Sequence, residues 1–267
     1  MLDSLTATRF DRRMTRGRTS PFLLEAETAS GDVVEVVAKF TSPQLPVEGL
    51  IREAFGALLA ADLGLPVPAC YCVTVAPNFV AAVSSTHPAD GTALASAVPV
   101  GFGSAKLPPG FVAWMPERRL PRAMRQAAAE IYAFDLLIQN PERRPENPNL
   151  QSKGDDFVIF DHEMALVTEG ILFWRPPWEA GALDALGVQA RHVLHPTLRG
   201  SQPNFDRLVG AWEAIDDARL SDYRAALPPQ WTPTAHAAHT ADAAIDFLCE
   251  LRHHIRPAMR EILRTLV

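Results

Sequence analysis

Alternating and β-branched apolar residues in the first part of the chain predict a sheet. Residues 20–40 have the pattern of two strands around a Ser-Gly-Asp turn at 30–32, and the second of these strands is rich in valine. Residues 69–75 alternate in the same way and predict a further strand. Residues 84–110 contain many Ser, Gly and Pro residues, so we expect a loop or connector there.

Apolar residues that recur every three or four positions predict helices, one early in the chain and several later. Residues 48–63 have this spacing, and Gly64 ends the predicted helix. After residue 121 the pattern is mainly helical, and the exception is a short strand at 156–160 that follows a Pro-rich loop at 141–149. The later helices are expected at 121–139 and at roughly 182–194, 203–226 and 239–265.

The order of these elements predicts an α+β protein with two lobes. Residues 1–110 would form a small lobe of strands with one helix, and residues 111–267 a mainly helical lobe. Ligands commonly bind where two such units meet, so we expect the functional site between them.

Composition excludes several classes of protein. The net charge of −6 disfavours a general nucleic-acid binder. Three cysteines make no disulfide framework, and neither a membrane-spanning apolar run nor the apolar core of a signal peptide is present. We therefore expect a cytoplasmic protein. Arginines crowd the N-terminus and predict either a solvated basic face or an anion site, with nucleic-acid binding as a further alternative: Arg9, Arg12, Arg13, Arg16 and Arg18.

Carboxylate and amide side chains in the second part of the chain follow a pattern typical of phosphoryl transfer. Glu142 begins the sequence Glu-Arg-Arg-Pro-Glu-Asn, and Asn147 ends it five residues later (147 − 142), the interval between the catalytic carboxylate and the metal-binding Asn of protein kinases. Asp161 ends the apolar strand that follows, where a carboxylate is costly unless it is used or paired. Asn147 and Asp161 offer the oxygen ligands that Mg²⁺ prefers, and Asn149 is an alternative to Asn147.

Charged residues of the first part fit the same chemistry. Lys39 stands near the end of a strand in Val-Val-Ala-Lys, the pattern of the phosphate-binding lysine of kinases, and Glu53 lies in the predicted helix, in the right place for its ion-pair partner. Either could be an ordinary surface residue, but their order favours the pair. Upstream, Gly17, Thr19 and Ser20 predict a small-residue loop that can present N–H groups to phosphates, although such a loop is more often only a turn.

Taken in order, these segments resemble the HipA-like kinase family, which is related to HipA toxin kinases and more remotely to phosphatidylinositol kinases. The resemblance covers nearly the whole chain and is strongest over residues 130–163. It rests on Gly17-Arg-Thr-Ser-Pro-Phe, Val-Ala-Lys39-Phe, Arg52-Glu53 leading to Leu-Gly64-Leu-Pro-Val-Pro, Phe134-Asp-Leu-Leu-Ile-Gln-Asn140, Asn147-Pro-Asn-Leu and Phe160-Asp-His-Glu.

The resemblance implies a kinase-like fold that binds ATP and Mg²⁺ and transfers phosphate to an unknown acceptor, either a protein Ser or Thr or a small molecule. By position, Lys39 would bind phosphate and Glu53 would orient that lysine. Asn147 and Asp161 would hold the metal. Arg143 stands where these kinases have the arginine that follows the catalytic aspartate.

Glu142 departs from the family pattern, which has aspartate at this position. The extra methylene moves the carboxylate by about 1 Å, and misplacement on this scale can cost about 100-fold in rate. Two functions therefore stay open: a phosphotransferase with Glu142 as its base, and a pseudokinase that serves as a nucleotide-binding regulatory or interaction module. A partner-binding scaffold is disfavoured because it has no need of Lys39, Asn147 and Asp161 together. The adenine-binding hinge is expected within residues 98–115.

Overall fold

The structure is a computed structural model that describes residues 2–15, 18–186 and 191–267. Within these ranges the chain is a mixed α+β protein, which confirms the predicted class. Most strands precede residue 114, and most of the long helices follow residue 124.

Five strands of the first part form one closed sheet in the order β1-β2-β3-β5-β4. Neighbouring strands are antiparallel except β1 and β4, which pair in parallel and so close the sheet. The strands are β1 (Asp3–Arg13), β2 (Phe22–Glu27), β3 (Val33–Lys39), β4 (Cys70–Thr74) and β5 (Val100–Ala105). The predicted strand pair around the turn at 30–32 corresponds to β2 and β3.

Strand β1 is not evident in the sequence pattern. Leu5 and Ala7 are buried on its inner face, but every other residue of the strand except Phe10 and Arg13 is exposed. Because many of its residues are charged, β1 lacks a clear alternation of apolar and polar positions. Pairing with both β2 and β4 stabilises the strand.

The prediction of a loop over residues 84–110 is wrong, because this region contains a helix at Pro88–Ser96 and the strand β5. Gly101 and Gly103 suggested a loop, but they serve close packing within the sheet. A Cβ atom on Gly101 would lie 2.5 Å from the carbonyl oxygen of Lys39, and one on Gly103 would lie 2.5 Å from Cγ2 of Val73. These glycines let neighbouring strands and side chains approach closely.

Helix α1 (Val47–Asp62) lies in the interior and is buried along most of its length. It packs against the closed sheet on one side and against the later helices on the other. Two shorter helices follow β4, namely α2 (Pro77–Thr86) and α3 (Pro88–Ser96), and both begin with a proline in the first turn. A helix that is apolar nearly all round is expected to be buried, as α1 is.

The second part of the chain combines a small antiparallel sheet with helices. The sheet has the order β6 (Val112–Ala113), β7 (Leu150–Lys153) and β8 (Asp156–Ile159). The helices are α4 (Arg125–Leu137), α5 (Ala182–Leu186), α6 (His195–Leu198), α7 (Asp206–Ala214), α8 (Asp217–Ala225), α9 (Ala235–His253) and α10 (Ile255–Thr265).

Three helix predictions need correction. The helix expected at 182–194 is represented by α5, which begins at Ala182. Residues 187–190 of the expected helix lie outside the described residues, and residues 192–194 are not helical. The helix expected at 203–226 is two helices, because Ile215 is extended and the Asp216 side chain caps α8 by accepting from the N–H of Arg219. The helix expected at 239–265 is also two helices, α9 and α10, with a break at His254.

Hydrogen bonds and ion pairs tie the helices to the first part of the chain. Trp231 is fully buried and donates from Nε1 to the carbonyl oxygen of Val100 in β5, at 2.7 Å. Asp62, the last residue of α1, accepts from Arg219 at 2.5 and 2.9 Å and from the hydroxyl of Tyr223 at 2.6 Å. In the described part of the chain, no helix is both long enough and apolar enough to cross a membrane.

Candidate active site

Lys39 lies at the end of β3 and extends its side chain among three carboxylates. Its Nζ donates to Glu53 Oε2 at 3.1 Å, to Glu163 Oε2 at 2.9 Å and to Asp161 Oδ1 at 2.5 Å. Burial by itself would lower the pKa of Lys39, but the three carboxylates raise it above its ordinary value. The ammonium group is therefore firmly charged.

Glu53 comes from the middle of α1 and fixes the turn that carries Asp161. Its side chain is 2% exposed. Besides Lys39, it accepts from the backbone N–H of Asp161 at 3.2 Å and from that of His162 at 2.7 Å. Burial raises the pKa of Glu53 above its ordinary value, against the opposing effect of Lys39. One carboxylate thus joins the lysine of β3 to the turn after β8.

Asp161 follows β8 in a backbone conformation that is unusual for a residue with a side chain, with φ of 68°. Two backbone hydrogen bonds from this turn to Glu53 hold the conformation. Burial would raise the pKa of Asp161, but contact with Lys39 lowers it below the ordinary value, so the side chain is ionised. Backbone strain of this kind is characteristic of functional sites.

The carboxylates of Glu53, Asp161 and Glu163 converge, and one oxygen atom from each lies within 4.8 Å of those from the other two. The ammonium group of Lys39 contacts all three, so it is the cation at the centre of this cluster. The side chain of Asp161 is 21% exposed, whereas those of Glu53 and Glu163 are 2% and 3% exposed. Asp161 is therefore the member of the cluster that a ligand can reach.

Glu163 was not predicted as a site residue. It stands two positions after Asp161 and contacts two cations, Lys39 through Oε2 and Arg18 through Oε1 at 2.8 Å. Its backbone carbonyl accepts from Arg52 Nε of α1 at 2.9 Å. The only signal in the sequence was its position in Phe-Asp-His-Glu, and nothing in that pattern indicated that its partners would be Lys39 and Arg18.

Arg143 is completely buried beneath the loop that Glu142 begins. It forms an ion pair with Asp135 of α4, and its NH1 group donates to the carbonyl oxygens of Asn149 and Phe160. The guanidinium group thus holds the loop, the start of β7 and the end of β8 together. The buried guanidinium group therefore supports the loop from below.

Asp135 is the buried anchor of this support. Besides Arg143, it accepts from Asn140 Nδ2 at 2.9 Å and lies 2.9 Å from Nε2 of His192. Burial would raise its pKa, but Arg143 lowers it well below the ordinary value. The Nδ1 atom of His192 accepts from the backbone N–H of Leu194 at 3.2 Å, so the proton of the neutral imidazole is on Nε2 and faces Asp135.

Glu142 is half-buried at the start of the loop, and its side chain is 17% exposed. Its backbone N–H donates to Asn140 Oδ1 at 3.1 Å, and its carboxylate lies 3.7 Å from Arg144. Burial raises the pKa of Glu142, and the negative charge of Asp161 raises it further. The carboxylates of Glu142 and Asp161 therefore repel each other.

Asn147 and Asn149 occupy different positions in the loop. Asn147 pairs through its backbone with Arg144, which closes a tight turn. Asn149 accepts through its carbonyl oxygen from the N–H of Phe160, the residue before Asp161. Its Nδ2 atom is buried and has no hydrogen-bond partner among the described residues. Asn149 is thus the amide tied more directly to the turn of Asp161.

The N-terminal arginines have different partners, and only Arg18 of those described reaches the carboxylate cluster. Arg9 pairs with Glu25, Arg12 with Asp11 and Arg13 with Asp90. Arg16 and Gly17 lie outside the described residues. Thr19 and Ser20 lie on the connection from β1 to β2, where Ser20 has φ of 45°.

A comparison with protein families places the chain among kinases. The family model of HipA-like kinases matches residues 8–170, more than half of the chain, and the chain belongs to the HipA-like kinase family. A kinase-type function follows from this membership. A comparison with curated proteins found no match.

One solved structure that resembles the chain is the crystal structure of a Helicobacter pylori proinflammatory kinase, CtkA. The TM-score is 0.53, the sequence identity is 10%, and the likeness covers 100% of this chain and 99% of that chain. At this identity the likeness supports the fold alone.

Proposed function

We propose that the chain is an ATP- and Mg²⁺-dependent phosphotransferase with two lobes, residues 1–110 and 111–267, and a nucleotide site between them. The observation that carries this proposal is the direct contact of Lys39 with both Glu53 and Asp161. Three elements from distant parts of the sequence bring a phosphate-binding cation, the carboxylate that orients it and an accessible metal-binding carboxylate to one point.

The residues at this point fit a magnesium ion. Asp161 offers a carboxylate that a ligand can reach, and the loop offers amide oxygens from Asn147 or Asn149. The buried Nδ2 atom of Asn149, which lacks a hydrogen-bond partner among the described residues, is a donor, so it would hold a phosphate oxygen and not the metal ion. When bound, Mg²⁺ would neutralise negative charge on the phosphate groups.

Lys39 must exchange a partner before it can bind phosphate. An ammonium group has three N–H donors, and Lys39 directs them to three carboxylates. Asp161 is the partner to be exchanged, because Glu53 and Glu163 are nearly inaccessible. Binding of a metal by Asp161 and of phosphate by Lys39 would therefore favour each other.

Glu142 is the base that we propose for the acceptor hydroxyl. Its pKa is raised by burial and by Asp161, which makes the carboxylate a stronger base than one in water. Arg143, fixed on Asp135, would position Glu142 without contacting the substrate. We propose a protein Ser or Thr as the acceptor, on the resemblance to HipA-like kinases.

The test is phosphate transfer from radiolabelled ATP, to the protein itself or to a general protein acceptor, by the full chain with Mg²⁺. We expect incorporation by the wild type, loss of at least about 100-fold in Asp161→Ala because metal positioning is lost, and no change in Asp155→Asn, an exposed carboxylate. Equal incorporation by wild type and Asp161→Ala would contradict the proposal. So would the absence of any Mg²⁺-dependent shift of the melting temperature by ATP.

A second candidate, a nucleotide-binding pseudokinase, is favoured by one observation, the glutamate at position 142. This candidate predicts that ATP and Mg²⁺ stabilise the wild type without turnover. Glu142→Asp, which restores the residue of the family, would then gain activity. For an active enzyme we expect measurable wild-type turnover that Glu142→Gln lowers by about 100-fold, because general-base catalysis contributes on this order.

A further inference from the structure

Glu163 connects two cations at the candidate nucleotide site. Its buried carboxylate contacts Lys39 through one oxygen at 2.9 Å and Arg18 through the other at 2.8 Å. Lys39 ends β3, whereas Arg18 lies on the connection between β1 and β2, 145 residues away from Glu163 in sequence. One carboxylate therefore sets the positions of cations from two separate segments.

We propose that Arg18 is a second phosphate-binding cation and that Glu163 is the positioning residue that holds it beside Lys39. This inference rests on the proposed function, since it assigns residues to the binding of the ATP phosphates. The chemical class of ligand is a nucleoside polyphosphate, whose neighbouring phosphate groups suit two cations held side by side.

Arg18 has the exposure and the free donors that this role needs. Its side chain is 49% exposed, whereas that of Lys39 is 11% exposed. NH2 contacts Glu163 and NH1 donates to the carbonyl oxygen of Gln44 at 3.2 Å, and its other N–H groups have no partner among the residues that the structure describes. A cavity of about 420 Å³ borders Arg18, which leaves room for the guanidinium group to move.

The carboxylate of Glu163 is not needed to fix its own backbone. Arg52 holds the carbonyl oxygen of Glu163, and Glu53 holds the N–H groups of the two preceding residues. Substitution of Glu163 by Gln keeps the shape of the side chain, but the amide nitrogen then faces one of the two cations. The variant should therefore fold and lose the alignment of Lys39 and Arg18.

The test compares the equilibrium binding of ATP with Mg²⁺ and of adenosine to the full chain. We expect Arg18→Gln and Glu163→Gln each to weaken ATP binding by about 10-fold or more, the range of a charge-assisted hydrogen bond, and to leave adenosine binding unchanged. The loss of ATP affinity in the double variant should be smaller than the sum of the two single losses, because Glu163 acts in part through Arg18. Arg18→Lys should recover part of the affinity, since it keeps the charge.

Arg12→Gln is the matched control, because Arg12 lies on the same segment, is exposed and contacts only Asp11 among the described residues. It should bind ATP as the wild type does. The inference is overturned if Arg18→Gln and Glu163→Gln bind ATP with wild-type affinity, or if both lose adenosine and ATP binding equally. A wild type that binds no ATP would instead overturn the proposed function itself.

Discussion

At the scale of single residues, the charged groups of the site form ion pairs with one another. Lys39 is bonded to three carboxylates, and Asp161 is the accessible one. The charges of Lys39 and Asp161 stabilise each other, as the raised pKa of Lys39 and the lowered pKa of Asp161 indicate. A ligand must therefore compete with contacts within the protein.

This competition predicts an unusual property of Asp161→Asn. The variant frees Lys39 and removes a negative charge that repels phosphate, so ATP in the presence of a chelator should bind about 10-fold tighter than to the wild type. The affinity of this variant for ATP should be the same with and without Mg²⁺. Isothermal titration with and without EDTA measures both effects, and Asp155→Asn, an exposed change of the same kind, is the control. Weaker binding without metal would contradict the competition.

A second prediction at this scale concerns His192 and pH. Burial lowers the pKa of His192, against the opposing effect of Asp135, so the folded protein holds a neutral imidazole. Below the ordinary pKa of about 6.5, His192 of the unfolded chain binds a proton that the folded protein does not bind. The contribution of His192 to the free energy of unfolding is therefore fully present above that pH and is lost as the pH falls. Denaturant unfolding between pH 7.5 and pH 5 measures the slope of the free energy of unfolding against pH. This range extends from about one unit above to about 1.5 units below the ordinary pKa of histidine.

His192→Gln should flatten this slope, because Gln keeps a donor toward Asp135 and does not titrate. His236→Gln is the control, since the side chain of His236 is 78% exposed. An unchanged slope in His192→Gln would show that other groups carry the pH dependence.

At the scale of elements, helix α1 and the turn after β8 act as one unit. Glu53 bonds two backbone N–H groups of the turn, and Gly56, three residues later on α1, lies against His162. A Cβ atom at Gly56 would come within 2.4 Å of the Cβ atom of His162. The helix can reach the turn only because this position has no side chain.

We therefore expect Gly56→Ala to destabilise the fold by about 1–3 kcal/mol, the usual cost of overpacking, even though alanine favours helices. Gly210→Ala in α7 is the matched control, because nothing lies within 4 Å of its added Cβ, and it should stabilise by about 0.5–1 kcal/mol. Chemical denaturation measures both changes. A stabilised Gly56→Ala would show that α1 and the turn can separate at little cost.

At the scale of the whole molecule, polar contacts add to a shared apolar core in joining the helical part to the first part. Trp231 and Trp212 are both completely buried, but only Trp231 has a hydrogen-bond partner for its indole N–H among the described residues, the carbonyl oxygen of Val100. The contact joins the segment before α9 to strand β5, which neighbours the strand that carries Lys39.

Replacement by Phe removes similar volume from both tryptophans but removes the hydrogen bond only from Trp231. The difference between the two variants therefore measures the effect of the hydrogen bond. We expect Trp231→Phe to lower the free energy of unfolding by about 1–3 kcal/mol more than Trp212→Phe does, because it leaves a buried polar group unpaired. Equal losses in the two variants would indicate that packing alone connects these parts.

The sequence by itself determined the features that depend on neighbours along the chain. Periodicity and turn residues predicted β2, β3, α1, α4 and β8, and the interval from Glu142 to Asn147 indicated the class of chemistry that family membership then confirmed. Tertiary structure decided which strands complete the sheet and which charges meet. Strand β1 gains its stability from two partners, and the glycines of β5 are explained only by the groups that approach them. The contacts of Glu163 with Lys39 and Arg18 span 124 and 145 residues. Buried charges select partners by position in space, so no local pattern could have predicted that trio.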